Sequence, residues 1–186
     1  MPWSTGSACP GPRVSVAAVA TLDVDDLVAR LRAAESNTHV REEVERAIRS
    51  FTLPTSAERP EVDVLHADDE LTVVHVVIPP GLPPTLPHDH RMWAVVGIFD
   101  GQEDNEFFRR PAGVLEPSGG RSLRSGETVA MGADTIHAIQ NPSSASALRA
   151  LHVYGGNLVG QARSMWTDPG TEEPYEFERA WADTFT

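Results

Sequence analysis

Two histidines separated by one residue, His88 and His90, are followed 47 residues later by a third, His137. Side chains alternate across an extended segment, so His88 and His90 project from one face while Asp89 between them faces the other way. A histidine arriving from a second strand completes a set of three converging imidazoles. Imidazole nitrogen suits iron, nickel, copper and zinc, and three neutral ligands leave coordination positions open for water, substrate or dioxygen. That is the layout of a catalytic centre rather than of a closed structural one.

Such a site needs rigid strands to hold it, and the sequence supplies them. After Pro54 come short runs rich in Val, Ile and aromatics: Glu61–Leu65, Leu71–Ile78, Trp93–Phe99, Asn105–Arg110, Gly113–Pro117, Thr128–Met131, Ala138–Gln140 and Leu148–Tyr154. Clusters of turn formers divide them, among them Pro79-Pro80-Gly81, Asp100-Gly101, Ser118-Gly119-Gly120 and Asn141-Pro142-Ser143-Ser144. Many short strands at this spacing predict a sandwich or barrel, and no helical pattern interleaves them to suggest a βαβ unit. Upstream, residues 23–51 are helical in pattern, with Val24, Leu27, Val28, Leu31, Val40, Val44 and Ile48 recurring at three- to four-residue spacing. Asp23 can cap the start, and Ser36-Asn37-Thr38 interrupts the pattern and predicts two short helices packed outside a larger body. From residue 159 onward Pro and acidic residues dominate, and Trp166, Tyr175, Phe177 and Trp181 predict a tail that packs onto the barrel.

Composition narrows the function. A length of 186 residues fits one domain with a real core and a pocket. The net charge of −12 repels nucleic acid and anionic membrane and points to small molecules as substrates. No apolar run is long enough to span a bilayer. Residues 13–20 have a loose likeness to a signal-peptide core, but the stretch is short and lacks a basic leader. The single cysteine, Cys9, excludes an intramolecular disulfide framework and sits in a Gly/Pro/Ser-rich opening; residues 1–20 are expected to be a disordered tail. The expectation is a cytoplasmic monomer or homodimer with neither nucleic-acid nor membrane partners.

The punctuation around the histidines follows a known pattern. Gly81 lies upstream of His88-x-His90, and Gly101 closes the strand that follows. Gly126-Glu127-Thr128-Val129-Ala130-Met131, then Gly132 and Asp134, His137 and Asn141, match a second motif almost position by position. Over roughly residues 60–156 the chain resembles the cupin superfamily. The resemblance implies a mainly β fold, a double-stranded β-helix or jelly-roll barrel with short N-terminal helices, in which inward-facing His88, His90 and His137 hold a metal. Two positions depart from the pattern. The family's glutamate ligand, four residues after the second histidine, is Ala94 here, and the second motif's usual Pro and Gly are replaced around Gly132 and Asp134. Without the glutamate, the implied site is three histidines and no carboxylate.

An all-histidine cupin centre resembles the thiol dioxygenases, such as cysteine dioxygenase. In that group a His-x-Tyr pair follows the third ligand at similar distance, and here His152-Val153-Tyr154 stands 15 residues after His137. Pro87–Val95 and Gly101–Asn105 also look like a bacterial cysteine-dioxygenase-like group. The resemblance implies that Tyr154 donates to bound dioxygen or substrate, oriented by His152. The expected cofactor is ferrous iron, with nickel, manganese or zinc as alternatives. The expected reaction takes a small organic thiol and dioxygen to a sulfinic acid, since a neutral ligand set leaves the ion able to accept a thiolate. The same residues also fit a cupin using another divalent metal on a non-thiol substrate, or a metal-binding cupin without turnover.

A carboxylated thiol needs a cation to hold it, ideally an arginine. The stretch Glu61–Leu71 has none, and Arg59 only lies nearby. Arg91, beside His90, and Arg109, which with Arg110 ends a strand on which one of the two should face inward, are the candidate substrate-binding residues. The family's crosslinked cysteine has no counterpart after Cys9. The remaining histidines, His39, His66 and His75, read as structural. Glu103 and Glu106 read as a solvated strand edge.

Overall fold

The computed structural model describes residues 22–50 and 60–176. The expected tail over residues 1–20 with Cys9, and also Arg59, Phe177 and Trp181, lie outside the described residues.

Helix α1, Val24–Ala33, starts at Asp23, whose carboxylate accepts the Asp26 N–H at 3.0 Å. Helix α2, Asn37–Ser50, follows after the expected break, with Ser36 Oγ accepting the His39 N–H at 3.3 Å. The buried stripes Leu27, Val28, Leu31 and Val40, Val44, Ala47, Ile48 face a sheet.

The strands are Glu61–Ala67 (β1), Thr72–Ile78 (β2), His88–Asp89 (β3), Ala94–Asp100 (β4), Gln102–Arg109 (β5), Glu116–Arg124 (β6), Thr128–Met131 (β7), Ile136–Gln140 (β8), Leu148–Tyr154 (β9), Ser164–Asp168 (β10) and Thr171–Pro174 (β11). They form two antiparallel sheets, in the orders β1-β2-β9-β4-β7 and β11-β10-β3-β8-β5-β6. The alternation of β2 explains why all its residues are buried. Val74, Val76 and Ile78 enter the barrel core with Val96, Ile98, Leu123, Ile139 and Met165. Val73 joins Val95, Leu151 and Val153 on the outer face, beneath the helices. With both faces covered, the strand reads as an unbroken apolar run. Gly97 lets α2 come close, because a Cβ there would stand 2.6 Å from Val44 Cγ1. The architecture is the expected mainly β double-stranded β-helix with two N-terminal helices.

Two elements differ from expectation. The strand expected at Gly113–Pro117 begins later, since Pro111–Gly113 is a 3-10 turn, and β6 starts at Glu116 and continues through Ser118-Gly119-Gly120, the expected turn. This edge strand is exposed along most of its length and held by its ladder to β5, so burial leaves no apolar pattern to read. The described part of the C-terminal segment forms a hairpin of β10 and β11 against the barrel. β10 pairs with β3 through Met165 and His88, and Trp166 is buried.

Candidate metal and reaction site

Two short strands bring the histidines together. His88 lies on β3 directly opposite His137 on β8, and His90 follows at the end of β3. The three rings form a triangle: centroids are 4.8 Å apart for His88–His137, 5.0 Å for His88–His90 and 5.1 Å for His90–His137. One nitrogen from each lies within 4.8 Å of the others, and all three side chains are buried.

For His88 and His137 the hydrogen bonds fix which nitrogen is left bare. His88 Nδ1 donates to the Leu86 carbonyl at 2.9 Å, leaving Nε2 unprotonated. Asn105 donates Nδ2–H to Glu103 Oε1 at 2.8 Å, so its Oδ1 is the atom 2.9 Å from His137 Nδ1 and accepts that ring's N–H. His137 Nε2 is left with a lone pair, 3.0 Å from His90 Nε2. Burial is the main cause that lowers all three imidazole pKa values. His88 falls to about 4, opposed by its bond to Leu86 and helped by the Arg163 cation. For His90 the neighbouring His88, His137 and Arg163 add to the effect, and for His137 His88 does. The rings are neutral near pH 7, which is the form that binds metal. This donor set fits a divalent ion, which His88, His90 and His137 would hold with positions to spare.

A stability prediction follows from that burial. Between the unfolded value of 6.5 and the folded value of about 4, the unfolded chain takes up a proton that His88 in the folded chain refuses. Stability is therefore complete above about pH 6.5 and is lost as pH falls toward 4, by up to about 1.4 kcal/mol per pH unit for each such histidine. Urea midpoints of metal-free protein should drop across this window, and His88→Gln should flatten the slope.

Ala94, at the place of the absent glutamate, sits across the ladder from Tyr154 and is small enough to leave the phenol room. Tyr154 and His152 both face inward from β9, as expected, with His152 Nδ1 3.0 Å from the Tyr154 hydroxyl. The Tyr154 ring centroid is 4.8 Å from that of His90, and burial raises its phenol pKa well above the ordinary value.

A cavity of about 370 Å³ opens over this cluster, walled by the three histidines, His152, Tyr154, Val74, Val76 and Ile139, with Val64 and Val159 at its mouth. Neither expected arginine reaches it. Arg91 has a left-handed φ of 54° just past β3 and turns outward to Asp89, Ser164 and Glu172. Arg109 pairs with Glu116 at 3.0 Å on the surface. Arg110 does not face inward either, because β5 ends at Arg109 and Arg110 turns into the 3-10 segment to meet Glu172 and the Trp166 ring.

The arginine in the cavity is Arg163, which sequence reasoning missed. Its guanidinium lies 3.9 Å from the Tyr175 ring centroid, and Nη1 is 3.4 Å from His90 Nδ1. It pairs with no carboxylate among the described residues. A signal existed, since Arg163 is the only basic residue between positions 155 and 176. Ser164 beside it is fixed by its N–H to Asp89 Oδ1 at 2.8 Å, so the residue between His88 and His90 ties the arginine's segment to the site.

Glu103 also departs from expectation. It is fully buried, inside the barrel rather than on a solvated edge, while Glu106 is exposed. Outside the cavity, His75 is buried between the cross-strand Asp63, at 3.6 Å, and Phe99, and His66 bonds to Asp68 at 2.9 Å. Both are structural. No helix of the described residues is long and apolar enough to cross a membrane.

No family model matches the chain. Among solved structures, the chain is similar to an RmlC-like cupin family protein of double-stranded β-helix fold from Methanocaldococcus jannaschii, at 17% identity over 58% of this chain and 90% of that one, with a TM-score of 0.47. An uncharacterized conserved protein with a double-stranded β-helix domain from Klebsiella pneumoniae matches at 14% identity over 63% and 87%, TM-score 0.45. A Bacillus subtilis oxalate decarboxylase with Mn(II) centres matches at 14% identity over 61% of this chain and 30% of that one, TM-score 0.46. What they have in common with this chain is the double-stranded β-helix, an architecture that its own strand order sets out.

Proposed function

We propose that the protein is an iron-dependent dioxygenase that converts a small carboxylated thiol and dioxygen to the sulfinic acid. The observation that carries the reading is a neutral three-histidine cluster and a phenol facing one cavity with a single arginine, Arg163, at its side. Ferrous iron, when bound, would supply the redox chemistry that joins dioxygen to sulfur. The chain's own residues do the rest. Arg163 offers a positive charge to an anionic end, its Nη1 3.4 Å from His90 Nδ1 beside the histidine cluster. The apolar walls Val74, Val76 and Ile139 exclude water around a short aliphatic chain. Tyr154 lines the same cavity, its hydroxyl 3.0 Å from His152 Nδ1. The acidic surface, net −12, makes the arginine the locally attractive point for an anion.

The test is to identify the retained metal, load ferrous iron and follow oxygen uptake with cysteine, 3-mercaptopropionate, mercaptosuccinate and cysteamine. Iron retention without thiol-driven oxygen consumption overturns the reading. Tyr154→Phe should keep the metal and slow turnover by roughly 10²-fold, the scale of a positioned proton-transfer group; unchanged turnover would make Tyr154 a core residue only.

A further inference from the structure

Two buried polar atoms in the barrel face one another and have no other hydrogen-bond partner among the described residues: Glu103 Oε2 and His152 Nε2, 3.5 Å apart. The carboxylate comes from β5 in one sheet and the imidazole from β9 in the other. Buried polar groups without partners are costly, and these two satisfy each other once Nε2 carries the proton, because a carboxylate only accepts. The other end of each group is already engaged. His152 Nδ1 meets the Tyr154 hydroxyl at 3.0 Å, and Glu103 Oε1 accepts from Asn105 at 2.8 Å.

We propose that Glu103 is a positioning residue that sets the polarity of Tyr154: by holding the Nε2–H tautomer of His152, it makes Nδ1 the acceptor of the tyrosine's own proton and turns the phenol oxygen toward the cavity as an acceptor. The order carboxylate–imidazole–hydroxyl is that of a general-base relay. A substrate S–H or O–H proton can pass to the Tyr154 oxygen while the phenol proton moves to His152 Nδ1. One bond forms and one breaks at the tyrosine oxygen, and the imidazolium so formed lies against the Glu103 carboxylate. This reverses the donor role that the sequence resemblance implied for Tyr154. Through Asn105 the same carboxylate also orients His137, so one buried glutamate aligns a metal ligand and the relay together. The inference rests on the cavity being a reaction site, as proposed above, and not on the identity of the thiol.

The test is long-range proton–nitrogen NMR on the metal-free full chain labelled at histidine. The expected result places the His152 proton on Nε2 with Nδ1 bare; a proton on Nδ1 in the wild type overturns the proposal. In Glu103→Gln the amide can donate to Nε2, so the tautomer should invert while the Asn105 contact is kept. The iron-loaded variant should hold its metal and lose roughly 10²–10⁴-fold in kcat with little change in KM. An unchanged tautomer or unchanged kcat in that variant counts against Glu103. The wild-type spectrum decides even where the variant does not fold, and it needs no substrate, so a failed thiol assay leaves this result standing on its own.

Discussion

His137→Ala is expected to lose bound metal on dialysis and, with it, all turnover. His88 and His90 come from one two-residue strand and its exit, and on their own they offer two nitrogens on one side of an ion. His137 brings the third imidazole from the facing strand, 1% exposed and oriented by Asn105. Removing it takes a third of the donor set and leaves a void beside two desolvated rings. A partner that only orients a ligand is worth roughly 10–100-fold in metal affinity, so Asn105→Ala should weaken binding by that much, and His137→Ala by more. Metal content by mass spectrometry, with affinity from competition against a chelator, ranks the three proteins. Equal metal content in His137→Ala and the wild type would remove His137 from the ligand set. Near-ultraviolet circular dichroism of the same samples separates metal loss from unfolding.

The histidine cluster was legible because its geometry is local. Two residues two apart on a strand share a face whatever the rest of the fold does, and this holds for His88 with His90 and for His152 with Tyr154. The helices were legible for the same reason, since each carries a 3.6-residue stripe and a polar break at Ser36. Glu103 and Asn105 were not read this way. Counted from the turn at Gly101, they share the inward face of β5 with Phe107, which lies opposite His137 in the ladder. The polarity of Glu103 argued for solvent, and tertiary burial overrode it: only the meeting of β5 with β9 and β8 shows what Glu103 and Asn105 bond.

What the sequence hid depends on long-range return of the chain. Arg163 lies 73 residues beyond His90 and reaches it because Asp89 pins Ser164 and Met165 pairs with His88. None of these contacts has a local signature. The opposite error came from Arg91 and Arg109, which sit beside recognisable elements and so looked well placed. A left-handed residue after β3 and the end of β5 turned their neighbourhoods outward.

Arg163→Met should raise KM for a carboxylated thiol by roughly 30-fold to several thousand-fold and leave metal content unchanged. The estimate follows from truncating one partner of a partly buried charge pair, which costs about 2–5 kcal/mol. Methionine keeps most of the aliphatic length against Tyr175, so the loss measures charge and fork geometry rather than packing. Cysteamine, which has no carboxylate, should be indifferent to the change, or even gain, because a cation facing its ammonium is removed. The two substrates thus read the same variant in opposite senses. Arg163→Lys should restore only part of the affinity, since a point charge cannot make the bidentate contact. If 3-mercaptopropionate and cysteamine respond alike to Arg163→Met, the arginine acts on the site as a whole through His90 and not on a substrate carboxylate. The distinction is drawn by oxygen uptake over a concentration series for each thiol, with metal content measured on the same samples.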